Sequence, residues 1–91
     1  MLSFEEKKEL FTIIGVLDAL SNDACSIEEA NAICFSPRSA NNLSNRNISN
    51  QISELVWECC ELEDIQSIIP DKLKRNICML KARAIELLKS E

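Results

Sequence analysis

The chain contains no histidine, and that absence closes more chemistry than any other feature of its composition. Without imidazole there is no Ser-His-Asp or Cys-His nucleophile pair, no histidine proton shuttle and no His-containing zinc site. Glycine occurs once, at Gly15, so neither a G-x-x-x-x-G-K phosphate loop nor a G-x-G-x-x-G dinucleotide turn can be written. Proline occurs twice and tyrosine not at all. The β-branched residues are mostly isoleucines at helical spacing, which leaves no alternating pattern for a strand. Helices joined by short connections fit this shortage of turn formers.

Long apolar runs are also missing. None approaches the ~18 residues that cross a bilayer, and the start Met1-Leu-Ser-Phe-Glu-Glu-Lys-Lys lacks the basic-then-apolar order of an export signal. The expected location is the cytoplasm. Five cysteines, Cys25, Cys34, Cys59, Cys60 and Cys78, form no C-x-x-C pair, and their odd number argues for reduced thiols rather than a disulfide framework. No metal or cofactor is expected of them. Cys34, Cys59 and Cys78 read as small buried apolar side chains. Carboxylates alone can do acid-base chemistry only in a pocket that shifts their pKa, and a bundle of short helices offers little depth for one. The chain is therefore expected not to be an enzyme.

What is present is a chain of 91 residues, 46% hydrophobic, suited to one all-α domain of about five short-to-medium helices spanning residues 1–91. Ser3-Phe-Glu-Glu6 has the capping-box spacing and opens a helix whose Leu10, Ile13, Ile14, Leu17 and Leu20 form one apolar stripe. Gly15 in its middle would admit a close neighbour. A second capping box, Ser26-Ile-Glu-Glu29, opens a short helix to about Cys34 with Ile27, Ala30 and Ile33 facing the core. Ser36-Pro37 signals a third helix to about Leu43, and the polar stretch Asn41–Asn47 marks a loop or a frayed helix end. Ile48, Ile52, Leu55, Val56, Cys59 and Leu62 then make the stripe of a fourth, continued by Ile65, Ile68 and Ile69. Pro70-Asp71 starts the last helix, on which Leu73, Ile77, Leu80, Ala84 and Leu87 recur without a miss.

Charge is divided along the chain. Residues 72–91 carry six basic and two acidic side chains, a net of +4, whereas residues 1–71 carry a net of −9. Glu54, Glu58, Glu61, Glu63, Asp64 and Asp71 follow one another without an intervening Lys or Arg, a pattern suited to a basic partner. At about 100° per residue the single tryptophan, Trp57, falls opposite the apolar stripe and beside Glu54, Glu58 and Glu61. Two readings follow: a central helix that buries Trp57 against a second neighbour, or an aromatic anchor rimmed by carboxylates on a binding surface.

Two resemblances bear on function. Ser26-Ile-Glu-Glu-Ala-Asn-Ala-Ile-Cys-Phe-Ser-Pro-Arg-Ser-Ala-Asn-Asn-Leu-Ser-Asn45 resembles the helix-turn-helix of LuxR-type regulators, which implies DNA binding. It departs at Cys34-Phe35, where an apolar-Gly turn is usual, and supplies only Arg38 as a cation to the would-be recognition helix. Over the whole chain, Asp18-Ala-Leu-Ser, Ser26-Ile-Glu-Glu-Ala, Phe35-Ser-Pro37, Glu61-Leu-Glu-Asp64 and Ile69-Pro70 look like small bacterial helical proteins. Small acidic proteins of this kind resemble the immunity proteins of contact-dependent growth inhibition and related toxin systems. That resemblance implies a cognate toxin as partner, a basic nuclease domain being the natural match for an acidic inhibitor. The expected contacts are Glu54, Trp57, Glu58, Glu61 and Asp64, with Asp18, Asp23, Glu28 and Glu29 as a second acidic stretch. The alternatives are a DNA-binding regulator and an all-α adaptor or dimerisation module.

Overall fold

A computed structural model describes residues 2–33 and 49–89. Its first helix starts where the capping signal puts it: the Glu6 backbone N–H donates to Ser3 Oγ, and the Ser3 N–H donates to Glu6 Oε1 at 2.9 Å. These two bonds satisfy donors that the first helical turn leaves without partners. From there α1 (Phe4–Ser21) runs for 18 residues and buries Leu10, Ile13, Leu17 and Leu20.

The stop of α1 is equally local. Asp23 takes the left-handed conformation, φ 58°, and the N–H groups of Ala24 and Asp23 return to the carbonyls of Ala19 and Leu20. This is the paired-bond helix stop in which glycine is commonest, with Asp accepted because it tolerates that region better than most side chains. The second capping box, Ser26 with Glu29, opens α2 (Ile27–Ile33). The Pro37–Leu43 helix, the Asn41–Asn47 loop, Cys34, Ile48 and the segment that would carry a recognition helix lie outside the described residues.

The chain resumes with Ser49 capping α3 (Asn50–Cys60), which buries Ile52, Leu55, Val56 and Cys59. A tightened turn at Glu61, whose N–H returns to the Glu58 carbonyl, separates α3 from α4 (Leu62–Ile68). The uninterrupted stripe from Ile48 to Ile69 is thus two helices, and only Leu62 and Ile65 of its second half reach the core. Ile68 is 77% exposed. Pro70–Lys72 form a 3₁₀ turn rather than the first turn of an α-helix, and α5 (Leu73–Lys89) follows.

Helices α1 and α5 pack along each other, with α3 laid against both. Thirteen side chains form the core; Leu10, Ile13, Leu17 and Leu55 at its centre have no solvent exposure. Burying each such aliphatic side chain is worth about 1.5–3 kcal/mol, and this shared core makes one compact all-α domain. The radius of gyration, 12.4 Å, is that of a closely packed chain of this length. Among the described residues there is no strand.

Three expectations about facing are corrected, each by helical phase. Gly15 sits about 140° round from Leu10 and meets solvent, so a Cβ there would touch nothing within 4 Å. Ile33 lies about 120° from Ile27 on α2 and is 58% exposed. Cys78 is one step past the buried Ile77 and is exposed as well, whereas Cys59 is buried as expected.

A candidate protein-binding face on α3 and α4

The outward face of α3 carries Glu54, Trp57 and Glu58, and Glu61 continues the row at the α3–α4 turn. Trp57 is 43% exposed, an outward position on α3 rather than one buried against a second neighbour. Glu54, Glu61 and Asp64 are exposed, and their carboxylates have no hydrogen-bond or ion-pair partner among the described residues. Asp64 lies in the first turn of α4, where a carboxylate is favoured by the helix dipole. Its neighbour Glu63 accepts a 2.8 Å hydrogen bond from Asn31 Nδ2, which ties α4 to α2.

Glu58 differs from the others. Its carboxylate pairs with Arg83 Nη1 of α5, and Oε2, the oxygen in that pair, is shielded from solvent. Beside the pair, a groove of about 250 Å³ runs between the α3–α4 turn and α5. Ile65, Met79 and Leu80 provide its apolar surface, with Glu58, Glu61 and Arg83 at its polar edges. Cys60, half-buried on the same stretch of chain, has its thiol pushed up from the ordinary range, chiefly because burial disfavours the thiolate.

The second acidic stretch is largely used inside the fold. Asp18 Oδ1 accepts from Lys81 Nζ at 3.0 Å, and Asp23 Oδ1 accepts from Lys74 Nζ at 2.8 Å. Glu29 closes the capping box of α2. Glu28 alone of the four is exposed with no partner among the described residues. The structure therefore brings Glu54, Trp57, Glu58 and Glu61 together on one face, puts Asp64 on the next helix, and uses Asp18 and Asp23 in ion pairs to α5 and Glu29 in a helix cap.

Sequence reasoning missed the partners of these acids. Lys74, Lys81 and Arg83 counted only toward the positive charge of the last helix, yet in the fold that helix neutralises part of the acidic body. Ile65 follows Glu61 at helical spacing, whereas Arg83 and Met79 join the candidate face only through the packing of α5, which no local spacing signals.

Together these features define a small all-α domain with an acidic, tryptophan-bearing helix face bordered by an apolar groove. Among the described residues, no group of His, Cys, Asp or Glu could hold a metal ion, and no helix is long and apolar enough to cross a membrane. The chain belongs to the family described as protein of unknown function (DUF3969), whose model matches residues 5–91. No curated protein and no solved structure matches it.

Proposed function

We propose that the protein is an inhibitor of the immunity type, which binds a basic toxin domain through the outward face of α3 and the start of α4 and occludes its substrate site. The observation that carries this reading is the state of Trp57, a residue 43% exposed on the helix face that carries Glu54, Glu58 and Glu61. A partly open aromatic rimmed by charge is the arrangement of an interface anchor: the ring fills a pocket on the partner while the charges accelerate encounter. Glu54, Glu61 and Asp64 supply the charge. A nuclease holds a polyanion and so presents a cationic cleft, which such a face complements.

Asp18, Asp23 and Glu29 belong to the fold on this reading, which favours α3 over the first loop as the contact. DNA binding is the poorer fit, because Lys74, Lys81 and Arg83 are paired with carboxylates of the chain itself rather than offered to phosphates.

Co-expression with a toxin encoded beside this gene tests the proposal. The intact chain is expected to protect cells, and a chain carrying Trp57→Ala together with Glu61→Lys is expected to protect them poorly. Full protection by that double variant would remove this face from the interface.

A further inference from the structure

The groove between the α3–α4 turn and α5 has a composition that specifies more than a charge preference. Its apolar surface comes from Ile65, Met79 and Leu80, and Met79 is 61% exposed, an unbranched thioether free to adapt to what lies on it. One edge carries two carboxylates, Glu58 and Glu61. The protein already binds a guanidinium there: Arg83 reaches from α5 to pair with Glu58. Glu61, an i+3 neighbour on the same edge, has no such partner among the described residues.

We propose that this groove receives one arginine side chain of the basic partner, its aliphatic stem on Met79, Ile65 and Leu80 and its guanidinium on Glu61. The proposal rests on the reading of α3 as a basic-protein contact and names the group that the contact selects. An arginine fits both halves of the site, since its methylene stem covers apolar surface while its planar head meets a carboxylate. The Glu58–Arg83 pair sets the electrostatics of the groove. It fills one carboxylate and leaves the other, so the site has room for one cation, and an acidic side chain entering it would face Glu61 unscreened.

The test is a methyl-resolved NMR titration of the full chain with the peptide acetyl-Ala-Arg-Ala-amide, against the same peptide with citrulline, the neutral isostere of arginine. The arginine peptide is expected to shift the Ile65, Leu80 and Met79 methyl signals and to bind about fivefold more tightly than the citrulline peptide at low salt. Glu61→Gln should abolish most of that difference. Glu61 is exposed and makes no side-chain cap, so this variant should keep its fold; should it not, the citrulline comparison on the unaltered chain still decides. Equal binding of the two peptides, or shifts along α3 that leave the groove methyls unmoved, would overturn the proposal. Glu54 lies outside the groove, so a Glu54→Lys variant that still slows binding of a basic toxin domain would show that only the groove assignment had failed.

Discussion

Lys74 Nζ lies 2.7 Å from the carbonyl oxygen of Ser21, the last residue of α1, and also reaches Asp23 Oδ1 at 2.8 Å. The final turn of α1 contains no basic residue of its own. A cation from α5, more than fifty positions away in sequence, thus supplies what the negative end of the helix dipole favours and fastens the two longest helices at one end. Lys81 repeats the connection further along, through Asp18. The charge split of the sequence is in part an intramolecular recognition device.

Removing that cation should cost stability without altering the helices themselves. Lys74→Met keeps most of the apolar stem, and because Lys74 is half exposed its contacts are partly screened. The expected loss is about 0.5–1 kcal/mol, read from the urea midpoint at unchanged slope. An unchanged midpoint would show that the contact is ornamental.

A second tie responds to pH. Glu6 accepts hydrogen bonds from the backbone N–H groups of Ser3 and Ser49, both at 2.9 Å, and those bonds hold its carboxyl below the ordinary value of 4.5. A lowered folded-state pKa means that the charged form contributes stability above the unfolded value and that the contribution disappears as pH falls through the folded value. The stability advantage of the unaltered chain over Glu6→Gln should therefore be full near neutrality and shrink below about pH 4.5. A difference that stayed constant through that range would contradict the assignment.

The Glu58–Arg83 pair should behave as a modest, half-exposed bridge. A double-mutant cycle with Glu58→Gln and Arg83→Met is expected to give a coupling energy of about 0.5 kcal/mol that fades with added salt. A coupling near zero would mean that Arg83 does not organise the groove edge.

Trp57→Ala separates anchor from core. A fully buried tryptophan loses about 3–5 kcal/mol on truncation, whereas one 43% exposed should lose well under that, about 1–2 kcal/mol. Thermal denaturation measures it, and a collapse of the melting temperature would return Trp57 to a structural role.

What could be read from the sequence follows the range of the interactions involved. Both capping boxes, Ser3 with Glu6 and Ser26 with Glu29, were legible because donor and acceptor lie three residues apart. The stripes of α1 and α3 were legible because burial repeats with helical period. The turn at Glu61 was not, because it uses neither glycine nor proline and only shifts one backbone bond from i−4 to i−3. Phase drift explains Ile33, which a seven-residue helix carries off the buried face. The site was legible in half: the α3 row of Glu54, Trp57, Glu58 and Glu61 obeys helical spacing, and so does the α5 row of Asn76, Met79, Leu80 and Arg83, but no local signal says that the two rows meet. Asp18 and Asp23 looked like free acids until the fold brought lysines 63 and 51 positions away against them.

The central claim is that the outward face of α3 meets a basic protein. Its most direct test is the association rate of this chain with a basic toxin domain of the kind proposed as its partner, measured at several salt concentrations for the unaltered chain and for Glu54→Lys/Glu61→Lys. Electrostatic steering predicts that the double variant associates about tenfold or more slowly at low salt, with the two rates converging as salt is raised. Equal rates at low salt, with the variant folded and the complex still forming, would contradict the account.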